Sequence, residues 1–151
     1  MTIATIILYY NTPDKTKRCL EACLNSASVE QKIVLVDNNS LEKPIEDLLP
    51  QIKIPKNLKL IKNKSNLGFS AGVNIGIKYA LKNYKPKYIA IVNSDLYLNK
   101  NALKISINKL DALENIIPVG AITGKILNEN GSAIWQAGGY IKKFSMSGIP
   151  R

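Results

Sequence analysis

The stretch Ile3-Ala4-Thr5-Ile6-Ile7-Leu8-Tyr9-Tyr10-Asn11-Thr12-Pro13 decides how the rest of the chain is read. Residues 3–10 are almost all apolar and rich in isoleucine, which gives a strand. Thr12 and Pro13 then have the character of an N-cap and a first helical residue, because proline's fixed φ suits that position and its missing N–H costs nothing there. The helix they open carries Leu20, Cys23 and Leu24 inward. A strand running directly into a helix is the opening of an alternating α/β chain.

The alternation continues along the sequence. Residues 32–36 predict a second strand, ending at Asp37-Asn38-Asn39-Ser40, whose short polar side chains suit a turn and a helix start. A short helical piece over 45–49 lies between Pro44 and Pro50, and residues 58–62 predict a third strand. After Asn66-Leu67-Gly68-Phe69, the spacing predicts a helix over 70–83 with Val73, Ile77, Ala80 and Leu81 on one face. Residues 87–92 form a fourth strand running into Asn93-Ser94-Asp95, and the next helix carries Leu103, Ile107, Leu110 and Leu113. Residues 119–123 predict a fifth strand. Asn130-Gly131 predicts a hairpin between Ile126-Leu127 and Ala133-Ile134-Trp135, and residues 144–151 show no clear element. The fold class is α/β, a largely parallel sheet with flanking helices, in one domain over residues 1–151.

The chain has 151 residues, 46% of them hydrophobic, but no apolar run near the roughly 18 residues of a membrane span. With no signal-peptide flank before the first strand, a cytoplasmic protein is expected. Cys19 and Cys23 lie four apart on one helix face, which suits small buried residues better than a disulfide. With no histidine in the chain, two thiols cannot complete a zinc shell. The 21 basic against 11 acidic residues give a formal charge of +10, which attracts nucleic acid, anionic lipid or a phosphorylated substrate. The lysines are scattered, so a solvated face accounts for most of them, and peripheral contact with an anionic membrane for the remainder.

Ligands of open α/β sheets bind beyond the carboxyl ends of the strands, where the strand order reverses. Tyr10 and Asn11, Asp37 and Asn38, the loop from Asn66 through Gly68 to Phe69, and Asp95 each follow a strand. Parallel pairing would bring all four loops to one edge. For a nucleoside diphosphate, Tyr10 lies against the base, and Asp37 or Asn38 accepts hydrogen bonds from ribose or base. Gly68 and the helix start offer backbone amides to phosphate, and Asp95 holds a magnesium or manganese ion that also touches the diphosphate. Each piece has a plainer reading: a turn at Asp37, a capping acid at Asp95, and close helix–sheet packing at Gly68, Gly72 and Gly76. Tyr9 and Tyr10 cannot both face the ligand, and Tyr10 is preferred. No G-x-G-x-x-G follows the first strand, and Gly124-Lys125 lacks the Ser or Thr of a Walker A loop.

In this order the residues resemble the inverting glycosyltransferases of family two, particularly their rhamnosyltransferase-like branch. The similarity lies in the aromatic-Asn end of the first strand at Tyr10-Asn11 and in the loop Val36-Asp37-Asn38-Asn39-Ser40. It continues through Asn66-Leu67-Gly68-Phe69-Ser70-Ala71-Gly72-Val73-Asn74 and Asn93-Ser94-Asp95, which stands in the place of the D-x-D motif. Trp135-Gln136-Ala137-Gly138-Gly139 resembles a segment that lies near the sugar in such enzymes.

The resemblance implies a GT-A fold with strand order 3-2-1-4, a nucleoside-diphosphate sugar donor, a divalent Mg2+ or Mn2+ at Asp95, and inversion at the anomeric carbon. Implied donor-binding residues are Tyr10, Asn11, Asp37, Asn38, Asn66, Gly68, Phe69, Gly72, Asn74, Asn93 and Asp95. The acceptor would be a glycan or lipid-linked hydroxyl, and the reaction would lie in the cytoplasm or peripherally at the inner face of the membrane. Asn93 replaces the first Asp of the acidic motif. The family's general base is expected beyond Arg151, so the chain is expected to lack its acceptor part and to be weakly active alone. A catalytically inactive nucleotide-sugar-binding fragment and a basic nucleic-acid-binding domain are the alternatives. The second lacks any usual recognition motif, so no nucleic-acid partner is expected.

Overall fold

Four strands, β1 (Thr2–Tyr9), β2 (Glu30–Asp37), β3 (Leu58–Lys62) and β4 (Tyr88–Asn93), form one parallel sheet in the order β3-β2-β1-β4. The computed structural model describes residues 2–26, 29–52, 54–141 and 148–150. The chain divides into two compact units, Met1–Lys104 and Ile105–Arg151, and the whole parallel sheet belongs to the first. β2 begins earlier than its apolar run, since the Gln31 amide donates to the buried Thr5 hydroxyl at 2.6 Å and satisfies two polar groups at once.

The order of strands dictates which face each helix covers. The chain steps from β1 to β2 to β3 in one direction, through α1 (Pro13–Leu24) and the short α2 (Ile45–Leu48) with its 3-10 turn Leu49–Gln51. It then reverses past β1 to β4 through α3 (Gly68–Tyr84). Crossovers of one hand put helices on opposite faces when the direction reverses. Accordingly Leu20 and Cys23 of α1 and Ile45 and Leu48 of α2 pack with Ile7, Tyr9, Ile33 and Leu35 on one face. Val73 and Ala80 of α3 pack with Ala4, Ile6, Val34 and Val36 on the other. The period of two along each strand splits the residues between these cores, and each fully buried Ile or Leu contributes about 1.5–3 kcal/mol.

α3 lies unusually close to the sheet. A Cβ at Gly76 would stand 2.6 Å from Ile6 Cγ2 and 3.0 Å from Val36 Cγ2, and one at Gly72 would stand 2.6 Å from Leu8 Cδ1. The ridge of Gly72, Gly76 and Ala80 therefore sets the contact line. Leu81, expected inward, is rotated to the rim and is exposed. In α4 (Ala102–Glu114) the expected face is the sheltered one, with Leu103 and Ile107 buried.

The later segment differs most from its expectation. Residues 119–123 form no strand despite their β-branched content, because they pair with no neighbouring strand and a strand exists only as part of a ladder. The predicted hairpin is present as β5 (Ile126–Leu127) against β6 (Ile134–Gln136), turned at Gly131 with φ +72°. Trp135 is 72% exposed, since so short a ladder has no covered face. In the tail, read as featureless, β8 (Gly148–Pro150) pairs antiparallel with β7 (Gly139–Ile141), while residues 144–147 and 151 lie outside the described residues. No helix among the described residues is long and apolar enough to cross a membrane.

Replacing Gly76 by Ala should cost about 1–2 kcal/mol net, because overpacking against two β-branched strand residues outweighs the helix-propensity gain of about 1 kcal/mol. Chemical denaturation of the variant checks this, and a stabilised Gly76→Ala chain would show that α3 can lift off the sheet freely.

Candidate functional site

Between β1 and β4 the strand order reverses, and at the carboxyl ends of these strands lies an open cleft of about 360 Å³. That is within the usual size of small-molecule sites. Its walls come from every strand tip: Leu8 in β1 and Tyr10, Thr12 and Lys15 after it, Asn38 after β2, Asn66, Gly68 and Phe69 after β3, and Asn93, Ser94 and Asp95 at the end of β4. Tyr10 and Phe69 are about half exposed, leaving two aromatic surfaces available at the rim.

Asn38 organises the floor. Its Nδ2 donates to Asn66 Oδ1 at 2.7 Å and to the Gly68 carbonyl at 3.2 Å. Its Oδ1 accepts from Asn63 Nδ2 at 3.0 Å and from the Leu67 N–H at 3.1 Å. Two donor hydrogens and two lone pairs are thus all engaged, and the residue is 2% exposed. Asn66 Oδ1 also accepts the Gly68 N–H at 2.9 Å. Gly68 has φ +74°, the left-handed turn from which α3 starts. No side chain caps α3 beyond this, so the remaining amides of its first turn are available to an anion at the positive end of the helix dipole.

On the α1 face, Tyr9 and Asp37 are register partners and both are buried. The Tyr9 hydroxyl donates to the Lys43 carbonyl, and burial, with the charge of Asp37 beside it, pushes the phenol up to about 12. Asp37 Oδ1 accepts the Ser40 N–H at 3.0 Å, closing a turn that places Asn39 at φ +65°. Asn11, also left-handed, accepts the Lys43 N–H through Oδ1 at 3.2 Å and donates its N–H to Ser40 Oγ at 3.1 Å. Together these bonds staple the loop after β1 to the loop after β2.

The tip of β4 is held from behind by α1. The Cys19 thiol donates to the Asn93 carbonyl at 3.4 Å, and the hydroxyls of Thr12 and Ser94 lie 3.4 Å apart. A hydrogen bond with Cys23, together with burial, pushes the Cys19 thiol up, so it remains a protonated donor at neutral pH. Both cysteines are buried and unbridged, as expected. The turn closed by the Leu96 N–H on the Asn93 carbonyl at 3.0 Å leaves Asp95 exposed at the cleft.

The predicted residues therefore separate into two groups. Tyr10, Asn38, Asn66, Gly68, Phe69, Asn93 and Asp95 share the cleft, although Asn38 has its polar atoms fully engaged within the protein. Asn11, Asp37, Gly72 and Asn74 do not line it. Asp37 faces the α1 core because it is one residue out of phase with Asn38, and Asn11 is spent on the loop staple. Gly72 lies under Leu8 and Asn38, and Asn74 is exposed on α3. Sequence reasoning missed Leu8 and Ser94 and, at the start of α1, Thr12 and Lys15. The signal for the latter pair was present, since a helix starting at Pro13 puts its first turn on the rim, with Thr16 buried and Lys15 outward.

As for a metal, no group of three or more His, Cys, Asp or Glu able to hold one occurs among the described residues. Among the described residues, Asp95 is the one carboxylate lining the cleft. A single carboxylate suits a hard ion such as Mg2+ or Mn2+ only where a bound phosphate supplies further oxygens, so the donor set fits an ion shared with a ligand.

Residues 5–143 match the profile of glycosyl transferase family 2, and the chain belongs to that family. Over 119 residues it is 24% identical to an uncharacterized glycosyltransferase of Haemophilus influenzae, covering 79% of this chain and 36% of that relative. S. aureus TarS 1-349, solved in complex with UDP-GlcNAc, superposes with a TM-score of 0.63 at 21% identity, covering 85% of this chain and 39% of that one. The mannosyltransferase PcManGT of Pyrobaculum calidifontis, in complex with GDP-Man and Mn2+, gives 0.58 at 18% identity over 72% of this chain and 32% of that one. The fold is accordingly GT-A, with the strand order that the family resemblance implies.

Removing the Asn38 side chain should destabilise the protein by about 2–3 kcal/mol, because several buried partners lose their bonds. Asn38→Asp should cost at least as much at neutral pH, since an anionic oxygen would then face Asn66 Oδ1 and the Gly68 carbonyl; urea denaturation measures both. Tyr9 makes a separate test. Its folded value, about 12, lies above the ordinary 10.0, so its contribution is complete below the ordinary value and is lost as pH rises through about 12. Over that interval the wild type should lose stability more steeply than Tyr9→Phe.

Proposed function

We propose that the cleft holds the diphosphate of a nucleotide-sugar donor, and that the chain is the donor-binding part of an inverting glycosyltransferase. The observation that carries this is the meeting, at the strand-order reversal, of an aromatic rim residue, the N-terminal turn of α3 and an exposed acid. The family match across residues 5–143 supports treating both units as one donor-binding domain. UDP-GlcNAc and GDP-Man in the structural neighbours support a nucleoside diphosphate as the shared ligand chemistry.

In this reading Tyr10 presents its ring to the base, and Phe69 stands by the sugar–diphosphate portion. The first-turn amides of α3 meet the phosphate oxygens, and the Asn38 bonds keep those amides aimed at the cleft. Asp95, with Asn93 beside it, would hold Mg2+ or Mn2+, which when bound neutralises charge on the departing diphosphate. The acceptor, a hydroxyl on a glycan or lipid-linked saccharide, gives its proton to a carboxylate base other than Asp95 and attacks the anomeric carbon from the side opposite the diphosphate. A new C–O bond forms as the bond to the diphosphate breaks, and the configuration inverts. The rhamnosyltransferase-like pattern of the motifs favours a deoxythymidine-diphosphate sugar. The +10 charge favours a site at the cytoplasmic face of an anionic membrane.

A second reading rests on a specific count of acids. Asp95 is the one carboxylate lining the cleft among the described residues, and an acid holding a cation cannot also take the acceptor proton. General-base catalysis supplies about 10²–10⁴-fold, so on the cleft residues alone donor binding with little turnover is expected.

Calorimetry with UDP-GlcNAc, GDP-mannose and dTDP-rhamnose, each with and without Mn2+, tests the proposal. One donor should bind, and more tightly with Mn2+. Asp95→Ala should remove about tenfold or more of the metal-dependent affinity while leaving thermal stability unchanged, because an exposed strand-end acid supports no core. Mn2+-dependent affinity that survives Asp95→Ala would remove Asp95 from the site.

A further inference from the structure

Among the described residues the cleft contains one positively charged side chain, and the proposed reading has given it no task. Lys15 is the third residue of α1, exposed, and shares the cleft wall with Asp95. It makes no ion pair among the described residues. Its location is electrostatically unfavourable in isolation. The first turn of a helix is the positive end of its dipole, where acids are stabilising and cations are not. Asp14 follows that preference in the same turn, and Lys15 runs against it. A cation held against the local field, on the wall of a cleft that the start of α3 also lines, is relieved by an anion placed between them.

The charge balance points the same way. A nucleotide sugar carries a dianionic diphosphate. Asp95 alone gives the cleft a negative charge that repels it, and a divalent cation on Asp95 leaves a single net positive charge. With Asn93 in place of a second acid, the addition of Lys15 brings the site to the charge of its ligand with opposite sign. Lysine suits this role as a point charge on a flexible stem that can follow a phosphate group.

We infer that Lys15 is the protein's own cation for the donor diphosphate, acting alongside the metal, so that nucleoside diphosphates still bind when divalent ions are removed. This rests on the donor-binding reading of the cleft. The test measures binding of UDP, GDP and dTDP, and of the matching uncharged nucleosides, to wild type, Lys15→Met and Lys15→Arg, in Mn2+ and in EDTA. At least one diphosphate should bind wild type in EDTA, and Lys15→Met should weaken it about tenfold there. In Mn2+ the loss should be smaller. Lys15→Arg should remain within about threefold of wild type, and the nucleoside should bind all three proteins equally.

An unchanged diphosphate affinity in Lys15→Met, with wild type binding normally, overturns the role of Lys15 and leaves the cleft reading standing. So does an equal loss of nucleoside binding, which would show that the substitution acts on shape and not on charge. Failure of all three diphosphates to bind wild type in either condition overturns both.

Discussion

The side chain of Asn38 makes four hydrogen bonds at the end of β2, and these join segments that no strand pairing holds together. β3 stops at Lys62 and α3 starts at Gly68, so the intervening residues have no ladder of their own. A loop of this kind would ordinarily sample many conformations, at a cost of about 1–2 kcal/mol per residue fixed. The buried amide offsets part of that cost and sets the direction in which α3 leaves the sheet. Everything proposed for the cleft depends on that direction, because the first-turn amides of α3 meet a ligand only if the helix begins where Gly68 places it.

The glycines of α3 are the second half of the same constraint. Gly72 and Gly76 let the helix settle against Leu8, Ile6 and Val36, which brings its start to the strand tips. Close packing and ligand binding are therefore not rival explanations of these residues. On the opposite face, Tyr9, Asp37, Asn11 and Ser40 staple two further loops, and Cys19 braces the turn that bears Asp95. Side chains behind the cleft are spent on aiming a smaller number in front of it.

Much of this was legible in the sequence for a physical reason. β1 and β2 are buried on both faces and so show as long apolar runs, while the edge strands and the helices between them follow from β-branched content, from helical periodicity and from Pro13 at a helix start. Strand phase also allows only one of Tyr9 and Tyr10 at the cleft, and the burial of Tyr9 in the α1 core leaves that place to Tyr10. The same argument, applied to Asp37 and Asn38, places Asp37 in the core beside Tyr9; a motif read as a string hides that alternation. Lys15 was hidden in a different way: the helix start at Pro13 points to it, but a single lysine among 21 basic residues stands out only once the topology places that first turn on a cleft. Residues 119–123 show the reverse failure. Their composition favours a strand, but pairing is a tertiary event that composition does not report.

The central claim is that nucleoside diphosphate binds at the edge where the first turns of α1 and α3 meet the tip of β4. Hydrogen–deuterium exchange of the backbone amides, with and without saturating UDP, GDP or dTDP in Mn2+, tests it most directly. The account predicts slowed exchange at residues 10–15, 66–71 and 93–96, with the outer surface of α3 and the β5–β6 hairpin unchanged. Binding of any of these nucleotides that protects other segments and leaves the amides of residues 68–71 unaffected would contradict it.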